Sequence, residues 1–332
     1  MANNFPQRRR SHNQPSPLPG VNHRMTTRAE LILSLLDSYR LLRTPHIIEF
    51  LKYLEGEISE QKTLRLLRHL MDERRILRVR NDPYSKTVAK GSLPKIYGLP
   101  LRRNHSLNER REKVSAVVPH TLEVADTIVY GVVKPCRQSN GELQFIDTPE
   151  ILTTMASEQT RRLSKPLTWK VKDAYFEGHK ISLSTTPDRL FGVRLAYRKA
   201  PHNRWFFVLE EDRSSETILP KNLLKATIFR KVLCYCFARH YRLAEQMYNI
   251  RDFRVLFVTD SKKRAEHMVD VFDLANRELK ALQKRQGLKP DGCPPNVFLF
   301  TDRPTLRSGN IFTTPWLNGR GETRQIEPPS SL

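Results

Sequence analysis

Apolar positions in the first hundred residues recur at helical spacing in three short blocks. Leu31, Ile32, Leu35 and Leu36 fall on one side of a helix over Thr27–Tyr39, behind a Thr-Thr start that can cap it. Thr44-Pro45 restarts the chain, with Thr as N-cap and Pro at the first helical position. Ile47, Ile48, Phe50, Leu51 and Leu54 give that second helix its apolar face. Ser59 caps a third, in which Leu64, Leu66, Leu67, Leu70 and Met71 supply the apolar side while Lys62, Arg65, Arg68 and His69 point elsewhere. The period then changes. Residues 76–80 read as a strand, Asn81-Asp82-Pro83-Tyr84 as a turn into a basic loop, and 95–99 as the returning strand. Three helices followed by a hairpin predict a winged helix-turn-helix over residues 26–100.

Beyond a charged linker at 101–115, Leu122, Ala125, Ile128 and Val129 fall at helical spacing, and 148–163 reads as another helix. Short apolar or β-branched runs at 180–183, 190–197, 205–209, 254–258 and 297–300 read as strands. Helical patterns at 218–247 and 262–284 separate the last three. That order predicts a mixed α/β domain over residues 116–312 with a mixed central sheet. Residues 1–25 read as a disordered basic arm, and 313–332, where Pro, Gly and Ser cluster, as a disordered tail.

Charge changes this picture by asking for a partner. The 332 residues carry a net charge of +22. Residues 1–110 hold 21 basic against 10 acidic side chains, half of the excess in a third of the chain. Such a localised footprint points to a polyanion, double-stranded DNA above all. A third helix packed on two others presents Lys62, Arg65 and Arg68 to a major groove. The hairpin, with Arg78, Arg80, Lys86, Lys90 and Lys95, reaches neighbouring phosphates. General solubility is the plainer account of the same charge. No apolar run approaches the roughly 18–20 residues of a spanning helix. The polar start with Arg8-Arg9-Arg10 lacks a signal-peptide core, so a cytoplasmic protein is expected. Cys136, Cys234, Cys236 and Cys293 form no CxxC pair and no zinc spacing, and are expected to be reduced and structural. Gly-rich phosphate loops, Gly-x-Ser-x-Gly and His-Glu-x-x-His are absent from the sequence, which disfavours nucleotide hydrolysis and serine chemistry.

Candidate chemistry gathers at predicted strand ends. Pro187-Asp188 precedes the second strand, Glu210-Glu211-Asp212-Arg213 closes the third, and the next helix supplies Lys231. Alternate residues of a strand face one side, so Glu210 and Asp212 can converge with Asp188 on a hard divalent cation, Mg or Mn. Such an ion polarises a phosphodiester and activates an attacking water, with a nearby Lys adding positive charge. Glu211 is expected to face away, and Arg213 to pair with an acid. The structural alternative for Asp188 is a turn residue after Pro, and for Lys231 a solvated side chain. Tyr235, four residues later on the same face, reads as core, phosphate contact or nucleophile. His120 reads as a helix-start residue, and Trp205, Phe206 and Phe207 as strand core in place of base-stacking platforms.

In these residues the chain resembles a known family. The runs at 186–191 (Thr-Pro-Asp-Arg-Leu-Phe), 206–213 (Phe-Phe-Val-Leu-Glu-Glu-Asp-Arg) and 225–235, with Pro119-His120-Thr121-Leu122, look like the replication-relaxation family over roughly residues 27–302. The resemblance implies a winged helix joined to a PD-(D/E)xK restriction-endonuclease-like domain. It also implies work on plasmid or mobile-element DNA: replication, relaxation at an origin, or mobilisation. Asp188, Glu210 and Asp212 would then be metal ligands and Lys231 the phosphate-side cation. One departure stands out, because that signature wants Lys two residues after Glu210 and Asp212 stands there. Lys231 compensates only if it reaches the strand ends; otherwise the domain is a nuclease fold without nuclease activity.

Two functions follow. One is a metal-dependent nickase or relaxase at a plasmid origin. The other is a non-catalytic origin-binding, copy-control or transcription regulator. Other replication or mobilisation proteins, and a second copy of the chain, are the further partners such roles admit.

Overall fold

The computed structural model describes residues 25–79, 94–100, 107–199, 203–214, 216–219 and 227–326. The chain divides into two compact units, Met1–Ala125 and Asp126–Leu332. In the first, the Thr26 side chain accepts a hydrogen bond from the Ala29 amide and starts α1 (Thr27–Tyr39). Strand β1 (Leu41–Arg43) leads into α2 (Thr44–Glu55), capped by Arg43 in place of the expected Thr44, with Pro45 in its first turn. Ser59 caps α3 (Glu60–Asp72) by accepting from the Lys62 amide at 3.4 Å.

Strands β2 (Leu77–Val79) and β3 (Ile96–Gly98) pair antiparallel, and β1 adds to β3, giving the order β1-β3-β2. Ile32, Leu36, Ile47, Leu51, Leu67 and Leu70 bury the inner faces of the three helices, and Tyr39 packs on Phe50 at 5.0 Å between ring centroids. The sequence pattern found the three helices and the hairpin. It missed β1, which at three residues is too short to show a period.

The expected linker is corrected by α4 (Leu107–Ile128), which takes up the second half of 101–115. Val118 and Leu122 of this helix pack with Ile96, which places them in the first unit. A π-helical turn (Val129–Val133) and α5 (Lys134–Gln138) follow.

The second unit is mixed α/β. Strand β4 (Leu143–Ile146) leads to α6 (Thr148–Thr154) and α7 (Glu158–Arg161), two short helices where one had been predicted over 148–163. Strands β5 (Trp169–Phe176) and β6 (His179–Thr185) form a separate hairpin, so the first predicted strand does not enter the central sheet. That sheet holds β7 (Arg189–Leu195) and β8 (Arg204–Glu211), then α8 (Ile228–His240), α9 (Leu243–Tyr248) and β9 (Arg254–Thr259). It continues through α10 (Lys262–Arg285), β10 (Phe298–Asp302), α11 (Arg303–Arg307), β11 (Trp316–Asn318) and β12 (Thr323–Arg324).

The seven strands lie in the order β12-β11-β10-β9-β8-β7-β4. Strands β8, β9 and β10 are parallel, and their neighbours on both sides run antiparallel. Crossovers β8–α8–β9 and β9–α10–β10 step in the same direction across the sheet. With one hand of crossover, both helices fall on one face, where α8, α10 and the β5–β6 hairpin share one core. The expected tail is corrected here as well. Residues 313–326 carry β11 and β12, and Trp316 is fully buried. Turn residues between such short strands gave that stretch the composition of a tail. All four cysteines are free and buried, and among the described residues no helix is long and apolar enough to cross a membrane.

Candidate functional site

Asp188 stands one residue before β7, and its position is fixed by the sheet. Its amide donates to the Leu209 carbonyl at 3.1 Å, and its Oδ2 accepts the Glu211 amide at 2.8 Å. This holds the carboxylate against the end of β8, where Glu210, Glu211 and Asp212 follow in sequence. Strand alternation sends Glu210 to the face covered by α8. There Oε1 accepts the hydroxyl of Tyr235, and Oε2 lies 2.9 Å from Nζ of Lys231. Thr227 caps α8 and sets its first turn beside the strand end, so Lys231 and Tyr235, four residues apart, present one face to Glu210. Tyr235 is fully buried and packs edge-on against Trp169 of β5, with ring centroids 5.4 Å apart.

The electrostatics tie Asp188, Glu210 and Lys231 together. Burial pushes the Glu210 carboxyl up to about 7, against the pull of Lys231, and the charge of Asp188 adds to the rise. Burial also works against the charge on Lys231, but Glu210, Glu216 and Asp188 outweigh it and raise the ammonium well above the usual lysine range. Lys231 makes a second ion pair, 3.0 Å to Oε1 of Glu216. The Tyr235 hydroxyl, buried and facing Glu210, is raised far above the ordinary phenol value, so it keeps its proton and donates a hydrogen bond to that carboxylate.

Asp212 does not join this group. Its Oδ1 accepts Nη2 of Arg264 at 3.0 Å, while Oδ2 takes Nε of the same guanidinium and the Thr259 hydroxyl, the latter at 2.8 Å. The chain leaves β8 at Glu211 and the Asp212 amide bonds to Val258, which turns the side chain toward α10. No three His, Cys, Asp or Glu side chains among the described residues are grouped to hold a metal ion. The expected convergence of Asp188, Glu210 and Asp212 is therefore not seen: Asp212 is engaged with Arg264, and Asp188 acts on Glu210 only electrostatically.

Glu211 faces away, as alternation requires. It receives the Thr127 hydroxyl and Nη2 of Arg303, at 3.2 Å for the latter, and burial pushes its carboxyl up to about 8. Arg303, itself buried, also pairs with the exposed Asp260, so a chain of charge running from the core to the surface backs the strand ends on the second face. Arg264, Glu216, Thr127 and Arg303 are the partners that spacing could not reveal. Arg264, Thr127 and Arg303 come from segments 52 to 92 residues away, Glu216 lies in the connection 15 residues before Lys231, and none carries a motif.

In the first unit, Lys62, Arg65 and Arg68 lie exposed at three-residue intervals along α3, and Arg78 is exposed on β2. Arg78 pairs across the ladder with Tyr97 of β3, and both Arg78 and Arg68 act electrostatically on that buried hydroxyl. The basic face of α3 and the strand before the hairpin loop thus share one region. Lys95 is partly exposed just before β3. Arg80, Lys86 and Lys90 lie outside the described residues.

No protein-family description matches this chain, and no curated protein does. Among solved structures, the restriction endonuclease FokI aligns with 79% of this chain at 15% identity and a TM-score of 0.18. This chain covers 40% of that one. A superposition so poor establishes neither a shared fold nor a shared activity.

Proposed function

We propose that this chain is a DNA-binding protein that cuts a phosphodiester bond, with a winged helix for site selection and Asp188, Glu210 and Lys231 as the cutting site. The observation that carries the reading is that Lys231 of α8 pairs with Glu210 of β8 at 2.9 Å, while Asp188, one residue before β7, acts electrostatically on both, giving the sequence order acid, acid, lysine. A lysine delivered from α8 takes the place of the one expected two residues after Glu210. The resemblance to replication-relaxation proteins directs the proposal further, to a nickase or relaxase acting on plasmid or mobile-element DNA at an origin.

In this reading Asp188 and Glu210 hold the divalent cation, magnesium or manganese. When bound, it supplies Lewis-acid polarisation of the phosphodiester and lowers the pKa of a water. Lys231 stands at the phosphate side, where its ammonium offsets the charge that develops on the phosphoryl oxygens. Tyr235 fixes Glu210 by its hydrogen bond, and Asp188 is fixed by the Glu211 amide. Asp212, engaged with Arg264, anchors the strand end. The exposed arginines of α3 contact duplex DNA, with Lys62, Arg78 and Lys95 on neighbouring phosphates.

A second reading has an observation of its own. Lys231 is bound to both Glu210 and Glu216, and Glu210 is only 1% exposed. Both features suit a structural ion pair in a non-catalytic origin-binding or copy-control protein. The two readings separate on supercoiled plasmid bearing the origin of the element. The proposal expects open-circular product with Mg²⁺ or Mn²⁺, none with chelator, and none from Asp188→Ala or Glu210→Ala while DNA binding persists. Binding indifferent to chelator, with no nicking under any divalent ion, would establish the second reading.

A further inference from the structure

At the end of the central sheet opposite Asp188, a ladder of rings and guanidiniums lies at the surface. The Arg198 guanidinium sits 5.8 Å from the Tyr197 ring centroid and 5.3 Å from that of Trp205, and the Arg254 guanidinium lies 5.7 Å from the same Trp205 ring. Tyr197 is 48% exposed, Arg198 is exposed and Trp205 is partly so. These residues come from the end of β7 and the starts of β8 and β9, which the antiparallel β7–β8 ladder brings together. The seven residues of β7 separate the ladder from Asp188 by roughly 20 Å.

The segment that carries most of the ladder is basic. From Arg194 to Trp205 the sequence carries Arg194, Arg198, Lys199 and Arg204 and no acid. Of the acids near Arg254, Asp252 is paired with Arg239 at 2.8 Å. An exposed Tyr-Arg-Trp-Arg ladder in a basic setting offers flat π and guanidinium faces beside phosphate-binding charge. That combination recognises unpaired bases through stacking while holding their backbone electrostatically. A duplex hides its base faces and cannot use the rings in this way.

We propose that this ladder binds a single-stranded stretch of nucleic acid. The proposal is independent of whether Asp188 and Glu210 cut DNA. Stacking tolerates either sugar, so DNA and RNA are distinguished by measurement.

Tryptophan emission gives a local readout, because Trp169 and Trp316 are fully buried and Trp205 alone of the three is accessible. The full chain is titrated with fluorescein-labelled oligothymidylate and oligouridylate of about 10 nucleotides, following both anisotropy and tryptophan emission. Binding is expected to quench the emission, and Trp205→Phe to abolish the quench. Tyr197→Ala and Arg198→Ala are each expected to weaken single-strand affinity about 5-fold or more, with affinity for a duplex unchanged. The tighter of the two oligonucleotides names the sugar. Saturation of the anisotropy without a change in emission, absence of binding to both, or unchanged affinity in both variants would overturn the proposal.

Discussion

The ammonium of Lys231 lies 2.9 Å from Oε2 of Glu210, joining the first turn of α8 to the end of β8. Both groups are removed from bulk water, so neither is easily left alone. Removing one partner of such a pair leaves an uncompensated buried charge, a loss of about 3–5 kcal/mol. Lys231→Met is expected to lose stability on that order in urea unfolding. Glu210→Gln in the same chain should restore a large part of it. Equal, additive losses in the double-mutant cycle would show that the two side chains are not coupled.

Asp212 gives a contrasting expectation. Its bidentate contact with Arg264 makes it an anchor between β8 and α10, so Asp212→Asn should lower the melting temperature and leave nicking per folded molecule within about 3-fold of wild type. Arg264→Ala should destabilise more, by roughly 3 kcal/mol, because it strands a buried carboxylate. Loss of nicking in well-folded Asp212→Asn, comparable to the loss in Asp188→Ala, would return Asp212 to the metal site.

Two buried carboxyls set a pH dependence. Glu210 is raised to about 7 and Glu211 to about 8 by burial. In the unfolded chain both release their protons near pH 4.5. Between these values the folded state binds more protons than the unfolded state. Stability contributed by the neutral forms is therefore full below about pH 4.5 and falls as pH rises through 7 to 8. With chelator present, the melting temperature should drop between pH 6 and pH 8, and Glu211→Gln should flatten that slope. A melting temperature that climbs over the same interval contradicts the assignment.

On the first unit, Arg65→Ala and Arg68→Ala should each weaken duplex binding and reduce the slope of log affinity against log salt by about 1, as expected for loss of one phosphate contact. Glu57→Ala, an exposed acid of the same unit, should leave that slope unchanged. Fluorescence anisotropy over a salt series checks both, and an unaltered slope in the arginine variants places the DNA-contacting face elsewhere.

How far the sequence carried these expectations depended on the range of the interactions. Local signals were legible. Thr26 and Ser59 cap the helices they were expected to cap, or lie beside the expected start, and alternation along β8 correctly separates Glu210 from Glu211. Whether Lys231 reaches the end of β8 is open in the sequence, which equally allows a solvated side chain; the 2.9 Å contact with Glu210 decides it. What failed was non-local. Arg264 reaches Asp212 from 52 residues away, and no spacing rule announces it. The stretch 148–163 has one helical period but breaks after Thr154, where the Ala156 amide turns back to Ile151 and the Ser157 amide bonds to Met247. Trp205 reads as core by strand alternation, yet its place at the start of β8 leaves it accessible.

The central claim is that Lys231 acts with Asp188 and Glu210 on a phosphodiester bond. Its most direct test is the single-turnover nicking rate of Lys231→Gln on supercoiled plasmid carrying the origin of the element, with Mg²⁺ or Mn²⁺ and saturating protein. Removal of a cation that stabilises the transition state predicts a rate about 100-fold or more below wild type, with duplex affinity unchanged. A folded Lys231→Gln protein that nicks at the wild-type rate, or a wild-type protein that does not nick at all, would contradict it.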